Sequence, residues 1–343
     1  MKNLNKKLVH FLIILSVVFV QSINLKAQAE QQGKSGVTFR NSNQLNMNVA
    51  ILIFDGVQII DYTGPYEVFG QAGFNVYTVS EEKKQIITSM GMNIIPSYSF
   101  TDMPTPDIIV IPGGEITRAM MNDKITNWII STGEKSEKIL SVCTGAFLLA
   151  KTGLLNGKTA TTISGLIEDF KIFAPQTKIV RDKKYVDNGK IITTAGLSSG
   201  IDGALHVVET LLGRDYALMI ALNMEYNWDP DTKYARANMA DKNLTNIFNL
   251  EFCNNLPKTT EIAIIKNIGD NKVWEIKVAL TTQASKKEMD EYISTIVVGR
   301  GWRKSNFEDR WEFNDENNIV WSALIRFNSD DSTLMVKIEN KGS

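Results

Sequence analysis

The chain has 343 residues, of which 43% are hydrophobic and 22% charged; this excludes a disordered or fibrous protein and suits two domains. Its net charge is −1, far from the basic balance of a nucleic-acid binder. With only Cys143, Cys253, His10 and His206 available, a zinc site built on His or paired Cys is not supportable.

Residues 1–29 read as a secretory signal peptide. Lys2, Lys6 and Lys7 open it, Leu8 to Val20 form an apolar run broken only by His10 and Ser16, and Ala27-Gln28-Ala29 supplies the small residues of a cleavage site. The run is short of the ~20 residues a spanning helix needs, so no stable membrane insertion is expected after cleavage. Cleavage would remove four lysines and no acid, leaving 33 basic against 38 acidic side chains, a charge of −5. A periplasmic or secreted protein is expected, with no nucleic-acid partner. The two cysteines belong to different segments, and a disulfide needs Cα atoms within ~4.4–6.8 Å, so both read as free thiols.

Residues 30–46 are small and polar and read as a flexible lead-in. From Met47 short apolar runs alternate with helical stretches. Strands are predicted at Asn48–Phe54, Asn75–Val79, Asp107–Pro112, Lys138–Val142, Lys178–Arg181, Tyr185–Val186 and Ile191–Thr194. Helices are predicted at Tyr66–Ala72, Asp123–Thr132, Ala146–Thr152, Ser199–Leu212 and Asp215–Tyr226. Asp187-Asn188-Gly189 is a hairpin turn. Strands of continuous apolar and β-branched residues alternating with helices indicate an α/β domain over 47–228, its parallel sheet covered on both faces. Residues 229–256, polar and rich in Asn, read as a linker. Residues 257–343 read as a small α+β domain, with strands at Glu261–Ile265, Val273–Leu280, Trp311–Phe313, Ile319–Phe327 and Thr333–Ile338 and one helix at Lys286–Ile296. Trp302, Trp311 and Trp321 are expected in its core.

The chemistry concentrates where the strand ending at Val142 runs through Cys143-Thr144-Gly145 straight into a helix. That is the pattern of a nucleophile elbow. Gly145 would remove a side chain that collides with the neighbouring strand. The Cys143 sulfur would project at the C-terminal edge of the sheet, where open α/β sheets bind ligands. The positive end of the following helix should favour thiolate.

The run Ser141-Val142-Cys143-Thr144-Gly145-Ala146 through Thr162 resembles the elbow segment of the ThiJ/PfpI family, within the class I glutamine amidotransferase-like superfamily. Four more segments agree in order: Asp61 to Phe69, Ile111-Pro112-Gly113-Gly114, Thr194 to Leu205, and Met224-Glu225-Tyr226. The resemblance covers about 47–228. It implies a flavodoxin-like, parallel-sheet sandwich, a small-molecule substrate or ligand, no cofactor and commonly a homodimer. The Asp-x-x-Gly-Pro and Cys-Thr-Gly forms resemble the isonitrile hydratase branch and the amidase-like halves of AraC-type regulators. In the hydratase branch the matching functional positions are Asp61, Cys143 and Thr144. Backbone N–H groups of Gly113, Gly114 and Thr144 would stabilise developing negative charge. Gly145, Ser198, Ser199 and Glu67 would shape the pocket. Asp61 could equally be a helix cap beside Gly64-Pro65, and Glu67 could face solvent.

Many relatives carry His directly after Ala-Thr-Thr; here that position is Ile163, which disfavours a Cys–His dyad and protease-like chemistry. His206, between Leu205 and Val207 in an amphipathic helix, reads as a packed core histidine. The resulting expectation is an exported, cysteine-dependent hydratase or hydrolase. The alternative is a non-catalytic ligand-binding or redox-sensing module. A transcription regulator is disfavoured by the signal peptide and by a C-terminal region without a helix-turn-helix pattern.

Overall fold

The computed structural model describes residues 46–341, apart from 235, 236, 238, 308, 316 and 317. The signal peptide and nearly all of the lead-in lie outside the described residues. The described residues form one compact unit built around two hydrophobic cores.

The first core belongs to the α/β half. Its elements are β1 (Asn48–Leu52), α1 (Ile59–Gln71), β2 (Asn75–Ser80), the short β3 (Ile86–Ile87), β4 (Asn93–Ile94) and β5 (Tyr98–Ser99), and β6 (Ile108–Ile111). Then come α2 (Thr117–Met121), α3 (Asp123–Lys135), β7 (Lys138–Val142), α4 (Gly145–Lys151), β8 (Thr159–Ala160), α5 (Ile167–Phe173) and β9 (Lys178–Ile179). The half ends with β10 (Tyr185–Asp187), β11 (Ile191–Thr194), α6 (Ser199–Leu212) and α7 (Arg214–Asn223). The main sheet runs β10-β11-β7-β6-β1-β2-β5, parallel except for the β10–β11 hairpin. Beyond the first residues of β1 and β7 its central strands are buried, as expected of runs such as Ile108-Ile109-Val110-Ile111 with helices on both faces.

Helices Thr117–Met121 and Ile167–Phe173 have no predicted counterpart, and among the predicted helices of this half α1 departs furthest. Expected at Tyr66–Ala72, α1 starts seven residues earlier, at Ile59, and carries Pro65 inside it. Proline normally breaks a helix because it lacks an N–H and crowds the preceding turn. Here burial outweighs that cost. Gly64 and Pro65 are both buried, and a Cβ on Gly64 would come within 2.9 Å of Ile201 in α6, so the glycine permits close packing of α1 on α6. Asp61 therefore lies in the first turn of a helix.

The second half is β-rich. It comprises α8 (Leu250–Asn254), β12 (Thr259–Gly269), β13 (Val273–Thr282), α9 (Lys286–Gly299), β14 (Arg303–Lys304), β15 (Arg310–Asn314), β16 (Val320–Asn328) and β17 (Thr333–Asn340). Its antiparallel sheet runs β12-β13-β17-β16-β15-β14. Ser285 and Glu288 cap α9 reciprocally, and Met289, Ile293 and Val297 face the sheet from one side of it. Trp302, Trp311 and Trp321 are buried. The segment expected to be a linker contributes to this core: Ala240, Leu244, Ile247, Phe252 and Leu256 are buried in it. Their spacing of three to five residues was hidden among asparagines and lysines. No helix of the described residues is long and apolar enough to cross a membrane.

Candidate active site

Cys143 follows β7 directly and takes a φ of 58°, the left-handed conformation that costs a non-glycine residue energy. The corner is clamped on both sides. The Cys143 N–H donates to the Ala195 carbonyl at 3.2 Å, and its own carbonyl accepts the Thr162 hydroxyl at 2.7 Å and the Ala146 N–H at 3.3 Å. A Cβ on Gly145 would stand 2.0 Å from the Ile111 carbonyl oxygen, so only glycine fits where α4 passes β6. Gly145→Ala is accordingly expected to lower stability by about 3 kcal/mol or more, read by denaturant unfolding of the purified variant.

Asp61 is fully buried and reaches the elbow from α1. It caps nothing: the cap position of α1 is Gln58, whose side chain makes no capping bond. Asp61 Oδ2 accepts the Gly113 N–H at 3.1 Å, while Oδ1 has no hydrogen-bond partner among the described residues. The Cys143 thiol and the Leu197 amide are its other polar neighbours. Burial disfavours the carboxylate, and although the Gly113 amide, the thiol and the Leu197 amide oppose this, the Asp61 pKa is pushed up to about 6.

The thiol is displaced in the same direction. Burial, and then the negative charge of Asp61, push Cys143 far above the ordinary thiol range, against the pull of the Thr144 amide. This corrects the expectation of a thiolate. The dipole of a helix of seven residues is worth about 1 kcal/mol at a favourable site, too little to offset the desolvation of a sulfur that is only 5% exposed. The resting pair at neutral pH is thus a thiol beside a carboxylate, sharing one proton.

Thr144 and the two glycines form the opposite wall. Thr144 Oγ1 accepts the Gly114 N–H at 2.9 Å and donates to the Gly114 carbonyl at 3.0 Å. A Cβ on Gly113 would meet Thr144 Oγ1 at 2.5 Å and Asp61 Oδ2 at 2.9 Å, so this glycine is the gap through which the two side chains are tied to one strap. The expected oxyanion donors need correcting in consequence. The Gly113 N–H is engaged by Asp61 and the Gly114 N–H by Thr144. The Thr144 N–H is the one aimed at the sulfur.

The remaining predicted residues divide. Ser199 is buried and Ser198 exposed at the start of α6, where the Ser198 carbonyl accepts the Tyr226 hydroxyl at 3.5 Å. Glu67 lies outside the pocket: it is exposed and bonded to Gln71 at 2.9 Å on the solvent side of α1. Ile163 packs against Gly196, where a Cβ would come within 2.8 Å of it, and brings no titratable group to the thiol. His206 is not a plain core residue. It stacks on Tyr185 at 4.4 Å and bridges Asp187 on the edge strand β10 to Glu209 in its own helix α6, each at 2.9 Å. Leu197, with φ 56°, was missed by the sequence reading; no sequence signal marks a leucine whose amide must turn toward a buried acid. Asp202 and Tyr226, both in motif segments, lock the half together instead: the Tyr226 hydroxyl donates to Asp202 at 2.9 Å, and Lys184 pairs with the same carboxylate at 3.1 Å. Cys143 and Cys253 are free, and among the described residues no cluster of His, Cys, Asp and Glu is able to hold a metal ion.

Comparison with known proteins agrees with this geometry. The profile of the DJ-1/PfpI family matches residues 47–210. The chain is 33% identical over 185 residues to the isonitrile hydratase of Pseudomonas putida, covering 52% of this chain and 78% of that protein. It is 28% identical over 201 residues to protein DJ-1alpha of Drosophila melanogaster, covering 55% and 89% respectively. The crystal structure of a ThiJ/PfpI family protein from Pseudomonas syringae superposes with a TM-score of 0.51 at 26% identity, over 59% of this chain and 84% of that one. The flavodoxin-like sheet, the elbow cysteine and these matches lead to one conclusion: the chain belongs to the DJ-1/PfpI family.

Proposed function

We propose that this protein is a cysteine-dependent hydratase or hydrolase of small electrophilic carbon compounds, with an isonitrile as its first candidate substrate and a small amide as the second. The observation that carries the reading is the Asp61–Cys143 pair: a buried carboxylate with one partnerless oxygen beside a thiol held protonated. Such a pair adds S–H across a carbon electrophile without a histidine. The sulfur bonds to the isonitrile carbon while the thiol proton passes through Asp61 to that carbon, giving a thioimidate. Asp61 then takes a proton from water as the water attacks the same carbon. The C–S bond breaks as the Asp61 proton returns to sulfur, the hydroxyl proton moves to nitrogen, and an N-substituted formamide leaves with the atoms of one water added. The likeness to the Pseudomonas putida hydratase supports this reading.

Incubating the purified protein with alkyl isonitriles and following formamide by NMR tests it. Steady formamide production is the expected result; no turnover of isonitriles or of small amides overturns it. The redox-sensing alternative is served less well, because peroxide oxidises thiolate and this thiol is kept neutral. Export belongs to the same proposal and rests on the N-terminal sequence alone, from Lys2 to Ala29. Finding residues 1–29 intact on protein recovered from the cytoplasm would remove that part and leave the chemistry standing.

A further inference from the structure

The two edges of the second sheet are built in opposite ways. At one end, β14 is two residues long, Arg303 and Lys304, both exposed. Short, charged edges are how sheets avoid pairing with other chains. At the other end, β12 is eleven residues long and contains no proline. It pairs with β13 on one side and with no strand on the other among the described residues. Only Thr259 and Ile262 in it are even partly buried, and Ile264, Ile265 and Ile268 are 65%, 57% and 63% exposed. A long, largely apolar edge carrying one acid and one base is a ready template for another strand.

We infer that β12 is a self-association edge, through which two copies of this chain pair antiparallel and join their six-stranded sheets. The register with β13 fixes which side chains share a face. Glu261, Ala263 and Lys266 stand opposite Thr281, Ala279 and Lys277 on one face. Ile262 and Ile264 stand opposite the buried Leu280 and Val278 on the other. The register shift between Ile264 and Lys266 absorbs Ile265. A two-fold axis through Ala263 therefore sets Glu261 opposite Lys266 of the second copy on one face. On the other face it sets Ile262 opposite Ile264 of the second copy. Both pairs occur twice. Centring the axis on Ile264 instead would set Glu261 opposite Ile268 and lose the charge match, which selects the first register. Lys266 already bonds Glu275 in its own chain at 2.9 Å, and an ammonium has further donors for Glu261 of the second copy.

Sedimentation equilibrium of the full chain over a wide concentration range tests this, with a reversible dimer as the expected result. Glu261→Lys and Lys266→Glu should each weaken the dimer by roughly tenfold or more, since each replaces two attractive pairs by two repulsive ones. The double variant should recover most of the affinity. Ile264→Asp should weaken it without recovery. Glu261, Ile264 and Lys266 are exposed, so every variant should keep the folded circular-dichroism spectrum of the parent. A monomer at all concentrations overturns the proposal. So does a dimer that neither Glu261→Lys nor Ile264→Asp perturbs, which would place the interface elsewhere, and so does a double variant as weak as the singles. A full chain that is monomeric but dimerises once residues 1–45 are removed also overturns it, because the N-terminal segment would then be the occupant of the edge.

Discussion

Replacing Cys143 with serine is expected to lower kcat/KM for isonitrile hydration by at least about a thousandfold while the fold survives. The size of the effect follows from the proton. An acid with a pKa of about 6 stands next to the sulfur as the acceptor for its proton. A thiol is within reach of such a base during attack, because sulfur is strongly nucleophilic and its proton leaves as the C–S bond forms. An alcohol holds its proton far more tightly, and no histidine stands at Ile163 to help it. The variant should nevertheless fold: a serine hydroxyl donates to the Asp61 carboxylate as the thiol does, and the clamp on the corner uses only backbone groups of residue 143. Formamide production compared with the melting temperature separates the two effects. Activity within tenfold of the parent protein, at unchanged stability, would remove Cys143 from the mechanism.

The legible part of the site was the part made by small residues and continuous strands. β6 is an uninterrupted apolar run, β7 and β11 are short runs rich in apolar and β-branched residues, and a strand that meets Cys-Thr-Gly has few other ways to turn. Gly113 and Gly145 mark close approaches that a side chain would block, and the family resemblance added Asp61. Other features resist reading because tertiary context decides them. Pro65 argues locally against the helix that holds Asp61, and only the packing of Gly64 on Ile201 outweighs it. The amides of Gly113 and Gly114 looked available until the partners claiming them, Asp61 and Thr144, were in place. The thiolate expectation used the helix dipole, which sequence shows, without the burial, which it does not. Residues 240–256 looked like linker because their apolar residues are diluted in polar ones, yet five of them fill a core.

Asp61→Asn should move stability and activity in opposite directions. The carboxyl group rises from an ordinary value of 3.8 to about 6 in the folded protein. Between those two values the folded state keeps a proton that the unfolded chain has lost, so stability falls as pH rises through this window. Above pH 6 the whole penalty of holding a buried carboxylate is present, on the order of 3 kcal/mol for two pKa units. Asparagine carries no such charge, and its side-chain oxygen still accepts the Gly113 N–H; its amide, buried among the Leu197 N–H and the thiol, returns only part of that gain. The variant should therefore melt a few degrees higher at neutral pH, and this gain should fade as pH falls and vanish below about 4. Its turnover should drop by about a hundredfold or more, because the acceptor of the thiol proton is gone. In the parent protein kcat/KM should climb with pH to a plateau through an apparent pKa of about 6, and the residual activity of the variant should lack that limb. A helix-capping or merely structural Asp61 predicts the reverse on the first measurement, a less stable variant at neutral pH, so a single pair of melting curves at two pH values decides between the roles.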